Sequence, residues 1–149
     1  MDRIVELMAN DHRACDEEFA AIEQVAKRGD WAAAAAALKV FRDAMERHLG
    51  VEEKTLFPAF EAATGMSMGP TRVMRMEHAQ MRSLLDDLRA AVEGGDAASF
   101  RGQAETLLIL MQQHNLKEEN ILYPMCDQEL EAQSADLCGQ LGAALDRNK

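Results

Sequence analysis

An all-α fold, an up-down-up-down four-helix bundle made of two repeated αα-hairpins plus a short C-terminal helix, follows from three observations on this 149-residue chain. Apolar side chains recur at helical spacing over four long stretches. Good helix formers dominate, with aromatics only 5% of residues. The segment HLGVEEKTLFP, His48 to Pro58, returns as HNLKEENILYP, His114 to Pro124, at an offset of 66 residues. That offset also carries His12 onto His78, so the four histidines form two pairs related by one internal repeat.

The first helix is expected from about Asp2 to Arg28, because Ile4, Met8, His12, Cys15, Phe19 and Ile22 share one stripe. Lys27 and Arg28 suit its C-terminus and Gly29 its stop. Asp30 reads as the N-cap of the second helix, with Leu38, Phe41, Met45, His48, Glu52 and Leu56 facing inward. Pro58 lacks the N–H that would bond back to Lys54, which predicts a kink, and Gly65 closes the helix. The linker between halves is GMSMGP, residues 65–70, where two glycines and a proline oppose helix. The third helix, about Thr71 to Glu93, aligns Met74, His78, Met81, Leu85, Leu88 and Val92. Gly94 and Gly95 end it, and Asp96 caps the fourth, whose inward face runs through Phe100, Ala104, Leu107, Met111, His114, Glu118 and Leu122. Pro124 predicts a second kink. Leu130, Leu137, Leu141 and Leu145 mark one further amphipathic helix, about 126–147, which either caps the open end of the bundle or forms a homodimer contact. Residues 1–149 thus read as one domain, with repeat 1 over about 1–65 and repeat 2 over about 70–124.

The formal charge of −10 and the absence of a basic stripe exclude a nucleic-acid partner. The N-terminus MDRIVELMANDHR has no uninterrupted apolar region, and no stretch has the length of a membrane span, so no membrane association and a cytoplasmic location are expected. Cys15, Cys126 and Cys138 form no C-x-x-C and make neither a disulfide framework nor a zinc finger.

A histidine and a glutamate at i and i+4 share one helix face, close enough to ligate one metal centre. His48 with Glu52, and His114 with Glu118, meet that spacing, and His12 and His78 point inward from the other two helices. Glutamates are almost never buried unpaired, and metal coordination supplies the compensation. Imidazole with carboxylate suits Fe, Mn or Zn and not the all-oxygen shells of Ca or Mg. Six protein ligands exceed one tetrahedral zinc. Two ions bridged by the carboxylates, each with two histidines, fit better.

These residues resemble the haemerythrin-like proteins with the HHE cation-binding domain, through the doubled H-x-x-x-E-E with its downstream L-[FY]-P, over roughly Ile4 to Pro124. The resemblance implies two Fe ions in a non-haem centre with an oxo or hydroxo bridge. His12 and His48 would bind one iron, His78 and His114 the other, and Glu52 and Glu118 would bridge them. The oxygen-carrying members have a third histidine on one iron, one turn after the residue matching His78, where this chain has Arg82. They also bridge with an aspartate one residue further along, where this chain has Glu118. The four-histidine, two-glutamate set is most similar to the metal-binding domain of the iron-sulfur cluster repair proteins, without their N-terminal cysteine-bearing domain. The ferritin-like carboxylate proteins are set aside, because no histidine here has a glutamate three residues before it.

Around the ligands, Met8, Met74, Met45 and Met111 are expected either as core filler or as a dry pocket for O2 or NO. Asp16 and Arg82, each four residues after a histidine, are expected either to pair across the two-fold axis or to stay solvated. Cys15, three residues after His12, is expected either to face the same interior or to be a buried inert thiol. Tyr123 is either a hydrogen-bonding or redox residue or, like Phe57 at the matching position, simply packed. The function expected is a protein that senses, stores or buffers O2, NO or iron. The alternatives are an enzyme of nitrosative or oxidative stress that reduces NO or peroxide or delivers iron for cluster repair, and a structural zinc protein.

Overall fold

A computed structural model describes residues 3–148, and among them all regular structure is helical. Helix α1 spans Ile4–Lys27 and α2 spans Trp31–Val51, followed by a π turn at Glu52–Leu56 and α3 at Phe57–Thr64. Helix α4 spans Pro70–Glu93 and α5 spans Ala97–Lys117, followed by a second π turn at Glu118–Leu122 and α6 at Tyr123–Glu129. A single 3-10 turn, Glu131–Gln133, leads to α7 at Ser134–Ala144. From α1 to the second π turn, the start and end of each element in one half recur 66 residues on in the other. The expected start of the first helix at Asp2 falls outside the described residues.

The α1–α2 and α4–α5 hairpins close on three-residue turns. Gly29 and Gly95 take the left-handed conformation there, at φ +74° and +61°, which side chains disfavour and glycine does not. The next residue begins each following helix, Asp30 accepting from the Ala33 N–H at 3.0 Å and Asp96 from the Ser99 N–H at 3.1 Å. Within the first hairpin His12 lies against His48 and Phe19 against Phe41, a falling register that makes the two helices antiparallel. The hairpins then pack α2 on α4 and α1 on α5.

Three sequence expectations change. Before Pro58 and Pro124, where kinks are expected, the α-helical register widens into a π turn, in which the Phe57 N–H bonds to the Glu52 carbonyl and the Tyr123 N–H to the Glu118 carbonyl. In that wider register Pro58 would face the Glu53 carbonyl, and the Arg75 guanidinium donates to it at 3.5 Å in place of the missing N–H. Pro70 belongs to α4 rather than the linker, since a first-turn proline forfeits no helical bond. The single C-terminal helix is instead two, divided at Leu130, so that α7 folds back on α1, α2 and the first π turn. There Leu130, Leu137, Leu141 and Leu145 are buried with Ile4, Met8 and Phe60. The N-terminus of α1 is closed by the Asp127 carboxylate, which accepts from the Ile4 N–H at 2.7 Å and the Val5 N–H at 3.1 Å.

The core is in two parts. One gathers Phe19, Ile22, Leu38, Phe41, Leu85, Leu88 and Phe100 towards the hairpin turns, and the other gathers Ile4, Leu56, Phe57, Tyr123 and α7 towards the opposite end. A buried polar layer lies between them.

Candidate metal centre

That layer consists of His12, His48, Glu52, His78, His114 and Glu118, none more than 5% exposed. The histidine rings meet in pairs within each hairpin, His12 with His48 at 4.6 Å and His78 with His114 at 5.1 Å between centroids.

Every imidazole has a carboxylate on its Nδ1. Asp11 Oδ2 lies 2.7 Å from His48 Nδ1 and Glu77 Oε1 lies 2.8 Å from His114 Nδ1, each reaching across its own hairpin. Glu53 Oε2 lies 2.8 Å from His78 Nδ1 and Glu119 Oε2 lies 2.7 Å from His12 Nδ1, each reaching between hairpins. A carboxylate only accepts, so each Nδ1 carries the proton and each Nε2 is left facing the interior. The four carboxylates obey the same 66-residue offset, Asp11 onto Glu77 and Glu53 onto Glu119. Sequence reasoning passed over them because their contacts lie between helices. The signal was present all the same, as an acid directly before each of His12 and His78 and a second glutamate in each E-E pair.

On the inner side each glutamate spans both hairpins. Glu52 Oε1 is 3.7 Å from His48 Nε2 and 3.1 Å from His78 Nε2. Glu118 Oε1 is 3.1 Å from His12 Nε2 and 3.2 Å from His114 Nε2. Donor atoms of Glu52, His78, His114 and Glu118 lie within 4.8 Å of one another, as do those of His12, His48 and Glu118. Glu52 Oε1, His78 Nε2, His114 Nε2 and Glu118 Oε2 are buried without a hydrogen-bond partner. Orphaned polar atoms at this depth are rare and costly, and a nitrogen and oxygen donor set of this kind suits a borderline first-row cation. The residues therefore fit a metal.

Electrostatics in the metal-free protein run the same way. Burial opposes charge on His48, but the Glu52 and Asp11 carboxylates overcome it and push the imidazole up to about 10. His12 is raised against its burial by Glu118 and Glu119, and His114 by Glu118, Glu52 and Glu77. Glu52 is held well below the usual carboxylate range by His48, Glu118 and His78, again against burial. Burial and the two glutamates push the Tyr123 phenol well above its ordinary value.

The residues expected to surround the ligands divide. Met45 and Met111 line a small void of about 10 Å³ with Cys15, Met81, Asn115 and three of the histidines, whereas Met8 and Met74 belong to the opposite core. Cys15 is buried, and burial with the Asp11 charge raises its thiol to about 12, an unreactive value. Asp16 and Arg82 do not pair. Arg82 donates to Glu53 at 2.8 and 2.9 Å and to Glu46 at 2.9 Å, while Asp16 is exposed and lies near Glu119. The glutamate reached by residue 82 across the bundle corresponds to Glu119, so Arg82 attracts where Asp16 repels. Arg147, from beyond α7, donates to Asp11 and to Glu18, and Lys117 donates to Glu77. Tyr123 is fully buried, with its oxygen 2.6 Å from Glu52 Oε2 and 2.9 Å from Glu118 Oε1.

A helical protein with two carboxylates and four imidazoles converging in its interior is a metal-binding protein of the bundle class. The chain belongs to the hemerythrin family, matching the hemerythrin HHE cation binding domain over residues 3–126. No curated protein and no solved structure matches it. Among the described residues, no helix is long and apolar enough to cross a membrane.

Proposed function

We propose that the chain is a non-haem di-iron protein with an oxo- or hydroxo-bridged centre that binds a small diatomic ligand, O2 or NO. His12 and His48 would hold one ion, His78 and His114 the other, and Glu52 and Glu118 would lie between them. The observation that carries this reading is that each buried glutamate approaches one histidine from each hairpin. Iron, when bound, supplies reversible electron transfer and affinity for diatomic ligands; Mn and Zn accept the same donors. In this reading the long helices form an up-down-up-down bundle acting as one cytoplasmic domain.

The chain's own residues prepare the site in three ways. Asp11, Glu53, Glu77 and Glu119 fix the tautomer and orientation of the four imidazoles. Met45, Leu49, Met81 and Met111 keep water from the inner face. The void beside them is no larger than a single water needs, which disfavours a bulky substrate. Asn115, half-buried, forms its outer edge.

Elemental analysis with ultraviolet-visible spectra, taken reduced and after O2 or NO, tests the proposal. The expected result is two irons per chain, bridge absorption and a stoichiometric ligand-dependent change. Sustained consumption of NO or peroxide with a reductant would instead identify an enzyme of the nitrosative or oxidative stress response. Zinc in place of iron would refute the di-iron reading.

A further inference from the structure

We infer that the phenol oxygen of Tyr123 is a further protein ligand to the ion held by His12 and His48, an assignment that rests on the di-iron reading above. The oxygen stands 2.6 Å from Glu52 Oε2, 2.9 Å from Glu118 Oε1 and 3.3 Å from the Nε2 atoms of both His12 and His48. With metal–ligand bonds of about 2.0–2.2 Å, donors at right angles on one ion sit roughly 3 Å apart. The four spacings bracket that value. A phenol, moreover, has a single proton to donate, whereas two carboxylate oxygens face this one at 2.6 and 2.9 Å, with the two imidazole Nε2 atoms beyond them. One cation satisfies all of them and the phenol oxygen together.

Packing does not account for the hydroxyl. Phe57 occupies the position 66 residues earlier and stacks on His78 at 5.5 Å and 29°; Tyr123 stacks on His12 at 5.6 Å and 29°. The two rings do the same work, and only one carries an oxygen into the ligand sphere. The wide π turn places it there. Residues five apart lie about 140° apart around an α-helix, but the i, i+5 register of the π turn brings Tyr123 over Glu118. Ligation releases the phenol proton to solvent and leaves the two ions unequal, the one facing Phe57 having one protein donor fewer.

Tyr123 is the sole tyrosine of the chain, so any tyrosinate signal is its own. Resonance Raman spectra of the oxidised, iron-loaded protein should show phenolate ring modes, enhanced in a visible tyrosinate-to-iron(III) charge-transfer band as for other tyrosine-ligated irons. The modes should shift with ring-deuterated tyrosine. Tyr123→Phe, which copies the residue at the related position, should abolish that band and keep two irons per chain with their bridge absorption. Wild-type protein with two irons and bridge absorption but no phenolate modes overturns the ligand and leaves the di-iron reading standing. Wild-type protein that takes up no iron overturns both.

Discussion

Adding ferrous iron to the metal-free Tyr123→Phe protein, which has no phenol proton to lose, at pH 6 should expel between about two and three protons per chain. Six carboxylates, Asp11, Glu52, Glu53, Glu77, Glu118 and Glu119, surround the polar layer, and three cations, Arg82, Lys117 and Arg147, reach it. Three negative charges remain. His12, His48 and His114 all have raised affinities for a proton, and as imidazolium ions they would cancel the excess. A group above its ordinary value of 6.5 is at least roughly three-quarters protonated at pH 6. Each must surrender its Nε2 proton to become a ligand. Near pH 9 His48, at about 10, should still contribute about one. Anaerobic calorimetric titration in two buffers of different ionisation enthalpy counts the protons. Fewer than about one at pH 6 would mean that the metal-free histidines are neutral, and the charge balance drawn here would be wrong.

The same shifts set the pH dependence of stability without metal. His48 is raised in the fold to about 10, so its contribution is complete below pH 6.5 and is lost as pH rises through about 10. Asp11 is depressed by His48 and Arg147 against its burial, so its contribution exists above its ordinary value and is lost as pH falls below it. The unfolding free energy from urea titration should therefore fall between pH 6.5 and 10 by an amount on the order of a few kcal/mol, and loaded protein should not show that decline. Arg82→Ala should weaken metal binding by about tenfold, by freeing Glu53 from its hold on His78, whereas Asp16→Ala should leave affinity unchanged; competition against a chelator measures both. Arg147→Ala leaves the buried Asp11 carboxylate short of a partner and should cost about 1–3 kcal/mol in chemical denaturation, even though the residue lies in the last turn of the chain.

The two hairpins were legible because a stripe of buried side chains, a capping aspartate and a left-handed glycine are local signals, and each occurs twice. The inward direction of the histidines was legible for the same reason. The π turns were not. A proline after an apolar run reads as a kink when α-helical spacing is assumed, and nothing in EEKTLFP distinguishes a broken turn from a widened one. That assumption also hid the reach of Tyr123, itself named as a candidate hydrogen-bonding residue, since α spacing turns it away from Glu118. Asp11, Glu53, Glu77 and Glu119 escaped because a charged residue beside a histidine reads as a solvated surface until a neighbouring helix is placed against it. Arg82 was legible as a neighbour of the site but its partners were not, since both pairing it with Asp16 and leaving it solvated overlook Glu53 and Glu46 on the facing helix.

The matching layout of the two halves has a consequence for how such a site can diversify. Two separate copies of one hairpin, associating about a true two-fold axis, would build the same cage of histidines and carboxylates, but would have to carry the same residue on both sides of it. Joining them through the short run of residues 65–69 removes that requirement. Tyr123 opposite Phe57, Asp16 opposite Arg82, and α7 laid chiefly on the first hairpin are each forbidden to a symmetric pair and open to a single chain. The covalent link thus gives the cage a left and a right, and a change can be made to one side while the other holds its shape.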